Sequence, residues 1–388
     1  MKRPLKIVVA GFAVGFPLGG QVWLMLHYAL GLARLGHEVL FIEDTGDWAF
    51  PFDPVRGHYH ADSGFGRDVL ARLFGRYGLA DRWCYYSLFE NKHYGMPRKQ
   101  TLKFCDEADF FLNISGVIPL KPEYLGAKVK AIVDTDPVFT QMKLAKDDWT
   151  RQYYGQHDLF FTFGHNLPDG KTSVPLGDFD WKPTVPPVVL SEWKPNGSEG
   201  ESYTTVGTWD AKGRDVVIDG KVYTWTKSAK YEAIIDMPSK LPTGRLELCF
   251  SGMKEDAARF EKHGWSVRDA LVVSRDPFVY RDYIQSSRGE FTIAKEQNVR
   301  LKSGWFSDRA ATYLASGRPV INEDTGFGDF LPAGEGLFAF ESMEQALEII
   351  PAIEADYQRH SQAASRIARE FFDSDKVLGD ILKQAGLG

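Results

Sequence analysis

The residues best suited to chemistry lie in one short stretch, residues 303–309, with the sequence Ser-Gly-Trp-Phe-Ser-Asp-Arg. It leads into a predicted helix that Ser307 or Asp308 can cap, because a short side-chain oxygen accepts an unpaired N–H of the first turn. A helix N-terminus offers free N–H groups and a positive dipole end, and Arg309 adds a charge. The stretch therefore predicts a diphosphate site, although the same unit also serves as plain scaffold.

The elements around this stretch complete a loop–helix–strand–loop unit. Apolar residues recur at helical spacing over residues 311–315, and Gly317 followed by Pro319 indicates the helix end. A buried strand and a second small-residue loop with Thr325 and Gly326 follow. We expect both loops to open at the same edge of a sheet.

The chain begins with a comparable pattern. Residues 7–10 predict a buried parallel strand, the glycine-rich residues 11–20 a loop, residues 21–35 a helix, and residues 39–42 a second strand. This order is typical of a doubly wound sheet. The loop lacks Gly-x-Gly-x-x-Gly spacing, which disfavours a dinucleotide site, although Glu43 stands where a ribose-binding acid is expected.

Polar residues follow two predicted strands, residues 129–133 and 159–163. Asp134 and Asp136 come after the first, where ligands bind in such sheets. Asp136 is a candidate general base toward an acceptor hydroxyl, oriented by Asp134. The alternative is that these carboxylates only cap a turn. His165 follows the second strand and is a candidate acceptor contact.

Two further features are assigned to recognition of the acceptor, the substrate whose hydroxyl group Asp136 would deprotonate. Residues 48–94 are aromatic, punctuated by glycine and predicted to be irregular, which favours a functional segment. His27, one turn into the first helix, is either an acceptor contact or a histidine satisfied in packing.

Composition narrows the function classes. The 388 residues suffice for two or three domains, and a net charge of -6 gives no global electrostatic case for nucleic acid or an anionic membrane. No run approaches the roughly 18 apolar residues of a membrane span. Three dispersed cysteines form no metal-binding spacing and fit a reducing cytoplasm, where we expect the protein.

Proline-rich residues 186–196 predict a linker between a domain at 1–185 and another at 197–355. The second domain has predicted strands that include residues 246–252 and 270–274, and a hairpin over residues 215–223 with an Asp-Gly turn. Terminal helices over 356–388 complete the chain. Lys295, in this second domain, is either electrostatic support for phosphates or an ordinary surface residue, and we favour the surface.

Two motifs resemble those of GT-B glycosyltransferases. Residues 314–320, Leu-Ala-Ser-Gly-Arg-Pro-Val, followed by Gly-Glu-Gly-Leu at 334–337, are similar to the nucleotide-sugar half of the retaining type. Leu-Gly-His-Glu-Val at 35–39, with the preceding Gly-Gly, resembles the first unit of these enzymes. The paired glutamates of the family fall on Gly304 and Thr312 and are missing, so Asp308 is our substitute for the ribose contact.

The resemblance implies an α/β fold of two facing Rossmann-like, doubly wound domains, with C-terminal helices crossing back to the first domain. With the hairpin treated as an insertion, Lys227 matches the family's diphosphate lysine, and Lys212 is its rival. The alternative is that Lys227 is only a solvated lysine at the start of a helix. The loop at residues 273–276 would border the base. The full set predicted to bind the donor is Gly19, Gly20, Lys227, Ser303, Gly304, Trp305, Ser307, Asp308, Arg309, Thr325 and Gly326.

The implied activity is metal-independent glycosyl transfer from a UDP-, TDP- or GDP-sugar to an acceptor, with no permanently bound cofactor. Stereochemistry, acceptor and oligomeric state stay open. One alternative is a nucleotide-sugar epimerase, which residues 48–94 argue against. Another is a nucleotide-binding module or a transferase acting on nucleic acid, for which residues 98–103 are locally basic.

Overall fold

Two parallel sheets, one from each half of the chain, form the framework of the computed structural model, which describes residues 3–46, 50–197, 200–211 and 213–388. The prediction of a mixed α/β fold with two doubly wound sheets is confirmed. The predicted domain limits stay predictions.

The first sheet has eight strands in the order β10-β9-β8-β7-β1-β2-β5-β6, and only the β5–β6 pair is antiparallel. Its strands and a separate small hairpin, β3–β4, are β1 Lys6–Ala10, β2 Glu38–Asp44, β3 Phe52–Asp53, β4 His58–Tyr59, β5 Trp83–Ser87, β6 Lys92–Gly95, β7 Phe110–Ile114, β8 Val129–Asp134, β9 Leu159–Thr162 and β10 Trp181–Pro183. The helices of this half are α1 Gly19–Arg34, α2 Gly64–Arg76, α3 Arg98–Asp106, α4 Phe139–Lys146 and α5 Asp148–Tyr154.

The second sheet has six parallel strands in the order β15-β14-β11-β16-β17-β18. Its strands, with the predicted hairpin β12–β13, are β11 Ser202–Thr208, β12 Val216–Ile218, β13 Lys221–Tyr223, β14 Arg245–Ser251, β15 Ser266–Arg268, β16 Gly289–Thr292, β17 Val320–Glu323 and β18 Leu337–Phe340. The helices are α6 Ser228–Ala233, α7 Met237–Lys240, α8 Ala257–Lys262, α9 Ala270–Ser274, α10 Pro277–Ser286, α11 Glu296–Arg300, α12 Asp308–Ala315, α13 Met343–Ala355, α14 Tyr357–Ile367 and α15 Ser374–Gln384.

Two element predictions were wrong. Residues 270–274, predicted as a strand, form helix α9, because Asp269 accepts a hydrogen bond from the Leu271 N–H and caps it. Residues 48–94 are not irregular, since they contain helix α2 and strand β5, which continues the first sheet. Of this segment, residues 48 and 49 lie outside the described residues.

Helix α1 connects the two halves. At its start it packs against α10, and at Gly31 it packs against α15, where a Cβ would lie only 2.5 Å from Leu378 Cδ1. Trp193 of the linker contacts Trp23 of α1 edge-on, with ring centroids 5.1 Å apart. The two halves therefore share one apolar core. None of the described helices is long and apolar enough to cross a membrane.

Candidate functional site

Two cavities lie in the cleft where the carboxyl ends of both sheets meet. The larger, about 670 Å³, is lined from both halves, by Phe16, Leu18, Arg56, Thr208, Ser251, Lys254, Asp269 and Arg275 among others. The second, about 520 Å³, is lined mainly by the first half, including Ser115, Thr135, Asp136, Phe139, Trp149 and Tyr153, with Arg214 and Trp225 from the second. Phe16 and Tyr59 border both cavities, so the two are neighbours.

Lys227, immediately before helix α6, is a partly buried ammonium group. No described residue forms a hydrogen bond or an ion pair with it. Burial lowers the pKa of Lys227, and the nearby cations of Arg309 and Lys295 lower it further. The carboxylates of Glu290 and Glu323 act in the opposite direction, but they form ion pairs with Arg309 and Lys230. A partly buried cation with no ion-pair partner of its own is costly unless a ligand supplies one. Lys212, its rival, lies outside the described residues.

Arg309 lies at the start of helix α12 and is held by three protein groups. Its Nε donates to Glu290 at 2.5 Å, Nη1 to the Val206 carbonyl oxygen at 2.7 Å, and Nη2 to Thr292 Oγ1 at 2.9 Å. The Glu290 carboxylate is fully buried, and burial raises its pKa against the effect of Arg309. The guanidinium is therefore a fixed positive charge beneath the cleft.

The cap of α12 forms as predicted from the sequence. Ser307 Oγ accepts from the Arg309 N–H at 3.1 Å. Asp308, the first residue of the helix, is partly buried, and burial raises the pKa of its carboxyl group although Arg309 acts against that. Its proposed ribose contact stays a prediction, as does the donor role of Ser307.

Asp136 joins the two halves across the cleft. Its carboxylate lies 2.8 Å from Lys295 Nζ and 3.3 Å from Arg214 Nη1, both in the second half. Lys295 also lies 3.3 Å from the centroid of the Trp225 ring. The prediction that Lys295 is a surface residue was wrong, because its side chain is only 16% exposed and faces the cleft.

The loop that carries Asp136 is fixed from below. Asp134 is buried and accepts from the Asp136 N–H at 3.0 Å, Thr140 Oγ1 at 2.7 Å and Thr162 Oγ1 at 2.9 Å. Val138, two residues beyond Asp136, has φ 72° and ψ -54°, which is strained for a β-branched side chain. Strain of this kind is concentrated at functional sites.

Four residues predicted to bind the donor lie around Asn166 instead. The Asn166 Nδ2 donates to the Gly326 carbonyl oxygen at 3.0 Å, and its N–H donates to the Ser303 carbonyl oxygen. Gly304 donates through its N–H to the Thr325 carbonyl oxygen at 2.7 Å. None of the four lines either cavity. The contacts around Asn166 help to hold the two halves together, and the donor role of Ser303, Gly304, Thr325 and Gly326 stays a prediction.

The first glycine loop is shaped by its own protein partners. A Cβ on Gly19 would lie 2.4 Å from Tyr280 Cβ, and one on Gly20 would lie 3.1 Å from the Tyr280 hydroxyl, so both glycines permit α10 to approach. The Glu43 carboxylate accepts from the Val14 N–H at 2.8 Å and from two neighbouring amides of the loop. Burial nevertheless raises the pKa of Glu43 to about 7. Glu43 therefore supports the loop and is not placed as a free ribose contact.

The predicted acceptor histidines are not close to each other. His27 is 2% exposed, and its ring nitrogens lie 3.1 Å from the Val189 nitrogen and 3.1 Å from Trp193 Nε1. It belongs to the linker contact, which corrects the acceptor assignment. His165 stacks on Phe330 of the second half at 3.9 Å between centroids and lines neither cavity.

Trp305 was predicted from the sequence as a site residue, and its Nε1 donates across the cleft to the Thr135 carbonyl oxygen at 3.3 Å. Two other site residues, Arg214 and Trp225, were not predicted. They enter the second cavity from the loops around the β12–β13 hairpin. Their position depends on how that insertion folds back over the first half.

Within the described residues, no group of three or more His, Cys, Asp or Glu side chains is placed to hold a metal ion.

Comparison with known proteins gives structural matches only. No protein-family model and no curated protein matches the chain. An alpha-glucosyltransferase in complex with UDP and a 13-mer DNA is 10% identical, with a TM-score of 0.61 over 99% of this chain and 100% of that chain. HepE from Anabaena, in complex with UDP and glucose, is 11% identical, with a TM-score of 0.56 over 98% of this chain and 99% of its own.

A third solved structure is AviGT4, described as a glycosyltransferase involved in avilamycin A biosynthesis. It is 12% identical, with a TM-score of 0.53 over 98% of this chain and 97% of that chain. At such identities the likeness is one of fold. It covers both halves of the chain and the connection between them, and the chain therefore has the GT-B fold, with two facing Rossmann-like domains.

Proposed function

We propose that the chain is a glycosyltransferase that moves a sugar from a nucleoside-diphosphate sugar to an acceptor. The fold supports this, because three proteins that share it are glycosyltransferases by description, and two of them are complexes with UDP. The observation that carries the proposal is the partly buried Lys227 ammonium, which no described residue pairs with. A diphosphate in the cleft would supply the missing negative charge.

The donor would span the larger cavity and the cationic side chains of Lys227, Arg309 and Lys295. Our first choice of donor nucleotide is UDP, and its nucleoside, uridine, would occupy the 670 Å³ cavity near Ser251 and Asp269. Its diphosphate would then extend toward Lys227 and the N-terminus of α12, where Arg309 supplies a fixed charge. Asp308, Ser307, Trp305 and the amides of Gly19 and Gly20 remain our proposed neighbours of the ribose, phosphates and sugar.

The reaction places new negative charge on the departing diphosphate. The bond between the anomeric carbon and the phosphate oxygen breaks, and its electron pair stays on that oxygen. The acceptor hydroxyl oxygen forms the new bond to the anomeric carbon and loses its proton. Lys227, with the fixed charge of Arg309 below, would stabilise the diphosphate more strongly as its charge grows, which lowers the barrier.

The proton of the acceptor would leave toward Asp136. Its carboxylate borders the second cavity and is already oriented by Lys295 and Arg214. In an inverting reaction Asp136 would be the general base. In a retaining reaction the departing phosphate could take the proton, and Asp136 would then position Lys295.

The epimerase alternative is less well supported, since an epimerase needs no acceptor cavity and the chain has a second cavity of about 520 Å³ beside Asp136. A nucleic-acid acceptor is favoured by one observation, namely that solved structures of this fold include complexes with DNA. The net charge of -6 argues against it. Duplex binding that weakens steeply with added salt would support it.

A thermal-shift panel of UDP, TDP, GDP and their sugars tests the proposal, because a ligand that binds the native state raises the melting temperature. We expect at least one nucleoside diphosphate to raise it, and the matching sugar donor to be consumed faster when an acceptor is present. No stabilisation by any of these compounds would contradict the proposal. Interconversion of a donor without acceptor would favour the epimerase.

A further inference from the structure

The side chains that line the second cavity indicate which class of molecule binds there. Eight of its twenty lining residues are aromatic, among them Phe139, Trp149, Tyr153, Tyr154 and Trp225. They come from both halves, since Trp225 of the second half meets Phe139 edge-on with centroids 5.4 Å apart. At about 520 Å³ the cavity is in the range of sites that enclose a small molecule.

Most polar side chains on these walls already have protein partners. Ser115 and Thr135 form a hydrogen bond to each other at 2.8 Å, and Thr140 donates to Asp134 at 2.7 Å. The Tyr153 hydroxyl donates to a backbone carbonyl oxygen at 2.7 Å. A sugar acceptor needs several free donors and acceptors to replace its water, and the hydroxyl groups named above are already engaged, although the charged side chains of Lys143 and Arg214 also line the cavity.

The rim of the cavity carries an aromatic platform open to solvent. Trp149, the second residue of α5, is 63% exposed, although a large aromatic side chain is normally covered. Its ring stacks on Tyr153, with centroids 5.5 Å apart and planes inclined by 24°. Tyr153 is buried, so it fixes the orientation of Trp149 from beneath.

We propose that the acceptor presents a planar aromatic ring carrying the hydroxyl that receives the sugar. This inference rests on the proposed function. The ring enters past Trp149 and stacks among the aromatic side chains, which attract a π-system by offset and edge-to-face contacts. The hydroxyl group then faces Asp136, which lines the same cavity.

Calorimetry with 4-methylumbelliferone, a planar aromatic alcohol, tests the inference in the presence of saturating UDP, with methyl glucoside as the sugar probe. We expect the aromatic alcohol to bind and the methyl glucoside not to bind. Trp149→Ala should weaken the aromatic alcohol by roughly tenfold, as loss of one stacking partner predicts, while Trp149→Phe retains most of the affinity. Phe89→Ala, which removes another exposed ring outside the cavity, is the matched control.

Titration of UDP into the same proteins separates a failure of the proposed glycosyltransferase function from a failure of the aromatic-acceptor inference. If neither UDP nor, in its place, TDP or GDP binds the unmodified protein, the proposed function itself fails. If UDP binds, the aromatic acceptor is contradicted by preference for methyl glucoside, by an unchanged affinity in Trp149→Ala, or by binding of a DNA duplex in place of the free ring. Trp149 is exposed, so its replacement should leave the fold and the UDP affinity intact.

Discussion

Lys295 and Asp136 form an ion pair of 2.8 Å that connects the second half of the chain to the first across the cleft. Asp136 lines the second cavity, and the Lys295 cation is close enough to Lys227 to lower the pKa of Lys227. Burial also lowers the pKa of Lys295 itself, although Asp136 acts against this. The pair therefore joins the acceptor side of the proposed site to the donor side.

Replacing Asp136 by asparagine should lower glycosyl transfer at least about tenfold, because the variant cannot accept the acceptor's proton and holds Lys295 less firmly. UDP affinity should be unchanged or higher, since Lys295 is released toward the phosphates. Steady-state rates and UDP calorimetry measure both effects. Asp178→Asn, on the exposed surface, is the matched control, and full activity of Asp136→Asn would remove the residue from the chemistry.

Replacing Arg309 by alanine should act first on stability. The change leaves the buried Glu290 carboxylate without its Arg309 donor, and breaking a buried ion pair costs about 3–5 kcal/mol. Denaturant unfolding measures it. The double variant Arg309→Met with Glu290→Gln should recover part of the loss, because the unpaired charge is gone. A single variant as stable as the parent would show that the pair is not structural.

Acid should destabilise the protein through His27. Burial lowers the pKa of His27 to about 3, so the unfolded chain binds a proton at higher pH than the folded one. Stability is then constant above the unfolded pKa of about 6.5 and falls below it, by up to about 1.4 kcal/mol per pH unit. Unfolding measured from pH 8 to pH 4 should show this slope, and His27→Gln should show less of it. Equal slopes in both proteins would contradict the assignment.

Asn166 should stabilise the closed arrangement of the two halves. Its Nδ2 group donates to carbonyl oxygens of Lys302 and Gly326. Asn166→Ala leaves the partly buried Lys302 carbonyl oxygen without this donor, while the Gly326 carbonyl oxygen keeps the Asp329 N–H. We expect a loss of about 1–3 kcal/mol in the free energy of unfolding. Small-angle scattering should show a larger radius of gyration without nucleotide and recovery with UDP. An unchanged radius and stability would rule out this role.

The sequence predicted the elements whose local signals are strong. Gly317 ends α12 with φ 68°, and Asp219 with Gly220 makes the turn of the β12–β13 hairpin, because positive φ is specified by residue type. The strand prediction at residues 270–274 failed because the cap at Asp269 outweighed the β-branched side chains. Such competition between local signals is not resolved by a single sequence.

The candidate site was harder to predict than the fold because it depends on how two halves meet. Lys295 has no local sign of burial, and only the approach of Asp136 from the other half, with Trp225 folding back over it, makes it a cleft residue. His27 was placed in the acceptor site because its contact with Trp193, 166 positions along the chain, cannot be read from helical spacing. Glycine-rich loops around Asn166 likewise proved to be contacts between the halves.

The central claim is that the Lys227 ammonium group binds the diphosphate of the donor. Calorimetric titration of UDP into the parent protein and into Lys227→Met, with the exposed Lys240→Met as control, tests it most directly. We predict that Lys227→Met weakens UDP at least about tenfold, corresponding to loss of one charge-assisted hydrogen bond, while its melting temperature without nucleotide is equal or higher because an unpaired buried charge has gone. UDP affinity equal to that of the parent protein in a folded Lys227→Met variant would contradict the account.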